Sequence, residues 1–261
     1  MNITGFENKV KQILKSDQGK AGFGMRMQTA YAGAPAGGMT RKIWRREDRE
    51  RLHLPLYSRG EEIFSAVTHG AAALFGVAAL VVLLFFCEKT PMKIVSVCVF
   101  GGTMILLYTV STLYHALGVN RAKRVFRVLD HCTIFLLIAG TYTPITLCCL
   151  QGAVGFVLFG VVWGAAVLGI VLNAVNMERF KKLSMVCYLA MGWVVIFALK
   201  TVVERMSPLG LWCLVAGGVA YTVGAVVYGF GKKIPYMHSV WHLFVLAGSV
   251  LHAVTVYSVV L

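Results

Sequence analysis

Apolar residues gather into seven runs, at about 62–86, 93–117, 130–150, 153–173, 184–203, 208–230 and 238–260. Each is close to the ~20 residues a helix needs to cross the hydrocarbon core of a bilayer. The pattern therefore predicts an all-α integral membrane protein with seven transmembrane helices over 61–261. Residues 1–60 follow other rules. Ile3, Phe6, Val10, Ile13 and Leu14 alternate with Lys9, Lys11 and Lys15, the pattern of a surface helix on anionic lipid or of an untethered tail. Residues 19–38 are rich in Gly and Ala and read as a flexible linker. Met39 follows that linker and is an alternative start of translation. Residues 41–51 are dense in charge, with Trp44 among arginines, and read as a juxtamembrane segment. The expectation for 1–60 is a basic cytoplasmic tail and linker, partly disordered.

Composition agrees with the spans. Hydrophobic residues make up 58% of the chain and charged ones only 14%, where a soluble domain carries about a quarter. Mean hydropathy is +0.73. The net charge of +14 is scattered over short segments, so it reads as topological and lipid-facing and not as a nucleic-acid footprint. The first apolar run begins only after some sixty residues and is long enough to span, so it is expected to stay in the membrane and not to be cleaved as a signal peptide. Seven cysteines lie mostly inside apolar runs without a C-x-x-C pair, which suits small packing residues better than a disulfide framework.

Loop charge sets the orientation. Arg121, Lys123, Arg124 and Arg127 fall in the second connection, Arg179, Lys181 and Lys182 in the fourth, Lys232 and Lys233 in the sixth. The third connection and the C-terminus have none, while the first and fifth hold Lys89, Lys93, Lys200 and Arg205. The positive-inside rule then places the N-terminus in the cytoplasm and the C-terminus outside, in the cell (plasma) membrane. Close helix contacts are expected at Gly160 and Gly164, and along Gly217, Gly224 and Gly231. Pro144 is expected to kink the third span, with Thr141 and Thr143 helping to satisfy the freed carbonyl.

That orientation brings the unusual polar residues to one depth. Glu61, Glu62 and His69 begin span one, Ser111 and His115 end span two, Asp130 and His131 open span three, and His238 and His242 open span seven. His238 and His242 lie four apart, one turn from each other on one helix face. With His115 they can supply three imidazoles to a tetrahedral ion, leaving a position for water. Asp130 is the carboxylate at the right depth to orient that water or take its proton. Ser111, one turn deeper than His115, can hydrogen-bond the water or a substrate oxygen. Cys132 alone offers a thiol there, which favours an N/O site and zinc. His131 can equally cap or snorkel. His69 and His252 are either interhelical hydrogen-bonding residues or a polar relay. Glu61 and Glu62 are either carboxylates that hold the metal-binding histidines from behind or acids favoured by a helix N-terminus.

Glu61-Glu62-Ile63, Thr68-His69-Gly70, Ser111-Thr112-Leu113-Tyr114-His115, Leu129-Asp130-His131, Gly140-Thr141-Tyr142-Thr143-Pro144 and His238-Ser239-Val240-Trp241-His242, in this order, resemble the hemolysin III family, bacterial relatives of the adiponectin and progestin receptors. The resemblance covers about 58–261. It implies seven helices, a cytoplasmic N-terminus, zinc on His115, His238 and His242, and a water-holding pair in Ser111 and Asp130. It departs at Ser65, where Asn is expected. Taken together, the expected function is a zinc-dependent membrane hydrolase of a lipid amide or ester at the cytoplasmic leaflet. Two alternatives stand beside it: a zinc-stabilised regulator of lipid homeostasis without catalysis, and a pore-forming cytolysin. The expected partners are membrane lipids and a lipid-like substrate or ligand. A retinal protein is disfavoured, because span seven has no Lys for a Schiff base.

Overall fold

The computed structural model describes residues 46–230 and 234–261. The expectations placed on 3–15, 19–38, Met39, Gly231, Lys232 and Lys233 lie outside the described residues. The chain divides after Glu47. Of the first unit only Arg46 and Glu47 are described, both helical. The second unit, from Asp48 to Leu261, holds everything below. It is all-α, with no strand among the described residues.

After the helical residues 48–51, seven helices follow in order among the described residues: α1 Arg59–Phe86, α2 Pro91–Ala116, α3 Arg121–Pro144, α4 Gly152–Trp193, α5 Leu199–Arg205, α6 Pro208–Phe230 and α7 Met237–Val260. A π-helical turn Ile145–Leu150 continues α3, and a 3-10 turn Val194–Ala198 joins α4 to α5. Local chemistry starts the first three helices. Ser58 and Glu61 form a reciprocal capping box on α1. Thr90 caps α2 ahead of Pro91, and Asn120 caps α3. Among the described residues six stretches are long and apolar enough to cross a membrane, one of them the run Gly152–Arg205 of 54 residues. That run is about twice what one crossing needs. It is broken at Asn176, whose φ of −159° and ψ of 86° are not helical. Asn176 Oδ1 accepts from the amide of Arg179 and so starts a second helical stretch. The run thus supplies the fourth and fifth of the seven expected spans. The chain is a multi-pass membrane protein.

Two boundaries differ from expectation, for one reason. α3 begins at Arg121, not near 130, and residues 177–183 are helical after the break. Basic residues taken for loops are in the opening turns of helices. Lys123 and Arg127 are only 1% and 5% exposed, because the ends of other elements wrap them.

α3 is the central helix: 78% of its most apolar window is buried, against 50% or less for every other span. One apolar cluster joins it to α4, α5 and α6 through Phe135, Ala166, Val202 and Leu214. A second joins α1, α2 and α7 through Ala72, Phe100, Met104 and Val256. Elsewhere large apolar side chains such as Leu74, Phe85, Val175 and Phe197 face outward, as lipid contact allows. The glycine expectations divide. A Cβ on Gly217 would stand 2.4 Å from the His252 ring, and one on Gly224 would stand 2.9 Å from Phe244, so both let α6 meet α7 closely. Gly160 and Gly164 face open space and mediate no helix contact among the described residues. Pro144 passes the chain into the π-helical turn. Thr141 and Thr143 donate to Leu137 and Ala139, not to the carbonyl of Gly140 that Pro144 leaves without its helical partner.

Candidate metal centre

The three expected histidines meet. His115 is in the last turn of α2, while His238 and His242 face inward from the first turns of α7, which opens after Tyr236 in the left-handed region at φ 65°. All three are buried. Nε2 of His238 lies 3.4 Å from Nε2 of His115 and 3.2 Å from Nε2 of His242. One donor atom from each lies within 4.8 Å of the others, so the group can hold a metal ion. Among the described residues no carboxylate joins it at that range. Nδ1 of His238 and of His242 is buried without a hydrogen-bond partner.

A carboxylate orients the third imidazole. Glu62 Oε2 lies 2.8 Å from His115 Nδ1. With the proton on Nδ1, the Nε2 lone pair points at the other two histidines, the arrangement in which outer carboxylates hold metal-binding imidazoles. The other oxygen, Oε1, receives Arg49 at 2.9 Å and Lys123 at 3.1 Å. Lys123 also donates to the carbonyls of Tyr114 at 2.8 Å and Leu117 at 3.0 Å, so one buried ammonium ties the end of α2 to Glu62. In the sequence Lys123 reads only as a charge of the second connection and Arg49 only as part of the charged segment 41–51. Asn120, a helix-starting residue three before Lys123, was the available signal that this lysine belongs to a helix.

Glu61 has a different place. It completes the cap of α1, and its Oε1 accepts from the amide of Tyr236 at 2.9 Å, which fixes where α7 begins. Ser65 pairs with Ser239 at 3.0 Å, so the position where the resemblance departs keeps a polar contact between α1 and α7. His69 stacks on His242, with ring centroids 3.7 Å apart and planes 14° from parallel. Both its nitrogens are buried without a hydrogen-bond partner.

Asp130 is buried and faces Ser111 and His115. The hydroxyl of Ser111 is buried without a hydrogen-bond partner. Asp130 also lines an apolar cavity of about 160 Å³ running between α3, α4, α6 and α7. His69, His131 and Trp241 line it beside Asp130, and Leu137, Leu189, Leu211 and Val245 line it further along. His131 is half-buried there, its ring 6.5 Å from that of Tyr228. His252 also lines this cavity, but its Nε2 bonds the carbonyl of Leu214 at 3.2 Å, an α6–α7 tie.

The residues before α1 pack onto this end of the bundle. Leu54 is buried, and the Tyr57 ring stacks on His238 at 4.6 Å and 15°. The half-buried phenol of Tyr57 is pushed well above its ordinary range, first by burial and then by Tyr114 and Tyr228.

A family model described as haemolysin-III related matches residues 57–253, which include all three histidines. Hemolysin-3 of Bacillus cereus is 42% identical over 193 residues, covering 73% of this chain and 88% of that protein. The Hemolysin-3 homolog of Bacillus subtilis is 42% identical over 196 residues, 74% of this chain and 92% of that one. The human monocyte to macrophage differentiation factor is 29% identical over 162 residues, 59% of this chain and 66% of that one.

Proposed function

The chain belongs to the haemolysin-III-related family, and from that premise we propose that it is a zinc-dependent membrane hydrolase acting on a lipid amide or ester. The observation that carries this reading is the meeting of three buried imidazole nitrogens next to Asp130 and an apolar cavity. The donors fit zinc. Ligand atoms at about 2.0–2.1 Å from a tetrahedral ion stand about 3.3 Å from one another, and the two contacts here are 3.2 and 3.4 Å. Neutral imidazole without thiolate suits zinc over softer ions.

When bound, zinc supplies Lewis acidity towards a carbonyl oxygen and towards water. The chain supplies the rest. Glu62 holds the His115 proton on Nδ1 and keeps Nε2 free to bind. Asp130 takes a proton at its carboxylate and returns it to the leaving group, as a buried general base and acid. The Ser111 hydroxyl, beside Asp130, donates to a substrate oxygen. The apolar cavity holds hydrocarbon and excludes water beside Asp130.

A second reading, a regulator of lipid homeostasis whose zinc is structural, is favoured by one contact. Tyr57 lies flat on His238 and covers that side of the cluster. Asp130→Asn separates the two. It keeps the shape of the side chain and removes its base. Under the hydrolase reading, zinc content stays near normal, while turnover of lipid amides and esters by the purified protein falls about 100-fold or more. Normal zinc with unchanged lipid turnover refutes catalysis by Asp130 and leaves the structural reading.

A further inference from the structure

Arg127 precedes Asp130 and His131 by three and four residues on α3 and so lies one turn beyond them on the same face. It is 5% exposed, and its Nε is buried without a hydrogen-bond partner. Its Nη1 donates to the carbonyl of His53 and pairs with Glu178 Oε1 at 2.6 Å. Glu178 comes from the turn after the break at Asn176, and its side chain is 52% exposed. Only the Glu178 side of the pair is open to water, so the carboxylate can swing out into solvent while the guanidinium stays in place. From the same turn Lys181 places its ammonium 5.5 Å from the centre of the Tyr228 ring. Tyr228 lines the apolar cavity, and its ring centre is 5.8 Å from that of His238.

Two cations therefore stand next to residues that line the cavity, Arg127 one turn from Asp130 and His131 and Lys181 over the Tyr228 ring, and the acid paired with Arg127 is an exposed one that a ligand can displace. We propose that Arg127 and Lys181 form an anion subsite, for the phosphate or similar head of an amphiphile whose single apolar chain fills the cavity, with Glu178 occupying the subsite when no ligand is present. A guanidinium with an unused N–H suits a phosphate, which offers several acceptor oxygens. This deepens the lipid reading above and rests on it for the occupant of the cavity, but not on zinc or on hydrolysis.

The test is equilibrium binding of radiolabelled dodecyl phosphate to the full chain in phosphatidylcholine nanodiscs, with empty nanodiscs subtracted. Saturable binding is expected, displaced by unlabelled dodecyl phosphate. Lys181→Gln is expected to weaken it about tenfold, the loss of one charge-assisted contact. Arg127→Gln is expected to weaken it at least as much. Glu178→Gln is expected to strengthen it, because the competing carboxylate is gone. Glu178→Gln and Lys181→Gln touch partly exposed side chains, so the test stands even if Arg127→Gln fails to fold. Displacement by dodecanol as strong as by dodecyl phosphate overturns the anion subsite. Displacement by inorganic phosphate alone at equal concentration overturns the amphiphile and leaves a site for free phosphate. The same titration on His242→Ala separates the two proposals: if zinc is lost but the Lys181 effect persists, the anion subsite holds whatever becomes of the hydrolase.

Discussion

Glu62→Gln tests the centre most directly. The carboxylate holds His115 at 2.8 Å through one oxygen and receives Arg49 and Lys123 through the other, and its side chain is 10% exposed. Glutamine preserves size and one acceptor, but it removes the charge that aligns all three partners and turns an amide N–H₂ towards a donor. Loss of such an outer partner costs about 10- to 100-fold in metal affinity, which is about 1.4–2.7 kcal/mol. Zinc affinity of the purified protein in detergent, measured by competition with a chelator of known strength, should fall by that factor while the chain remains helical. Glu62→Ala should do more. It leaves the ammonium of Lys123, 1% exposed, without its carboxylate, and removing one partner of a buried pair costs about 3–5 kcal/mol. The thermal midpoint should therefore drop further for Ala than for Gln. A folded Glu62→Gln protein whose zinc affinity stays within twofold of the parent would show that Glu62 does not orient His115, and the reasoning from the 2.8 Å contact would be wrong.

Three further outcomes are expected. Replacing His115, His238 and His242 together with Ala should abolish bound zinc in elemental analysis and lower thermal stability in detergent, since binding free energy adds to folding; full retention of zinc refutes the ligand set. A reporter active only outside the cytoplasm, fused after Leu261, should be active, and an expressed but silent fusion refutes the orientation read from Lys and Arg. Gly217→Ala should destabilise the α6–α7 contact by about 1–3 kcal/mol, because the new methyl meets the His252 ring at 2.4 Å; an unchanged melting temperature would show that the ring moves aside freely.

The spans were legible because lipid exposure makes whole segments apolar, and composition alone marks them. The meeting of His115 with His238 and His242 was legible because all three fall at one membrane depth. The beginning of α3 was not. Residues 121–129 mix four basic side chains with apolar ones, and without tertiary partners Lys123 and Arg127 look like solvated loop charges. Their burial depends on Glu62, on carbonyls at the end of α2 and on the His53 carbonyl, none of which is a neighbour in sequence. Glu61 and Glu62 show the same limit. They are adjacent and both acidic, yet one closes a helix cap and the other holds the His115 ring, because neighbours on a helix point in directions about 100° apart. The loose fit of Gly160 and Gly164 has the opposite cause: their spacing is right, but no helix among the described residues lies against that face.

The ties between α1 and α7 have a consequence for how the molecule is made. Glu61 and Ser65 sit on the first membrane helix, and their partners Tyr236 and Ser239 sit at the head of the last. Two of the three histidines are on that last helix as well. A chain emerging from the ribosome completes α1 to α6 while Glu61, Ser65 and His115 still lack these partners. Polar groups left unpaired within lipid are costly, so until α7 arrives the nascent bundle carries an open seam. Insertion of α7 closes the seam and brings the three histidines together in one event. The histidine group is thereby complete only when synthesis has run to its end, and a product cut short before Met237 lacks both the seal and two of the three imidazoles.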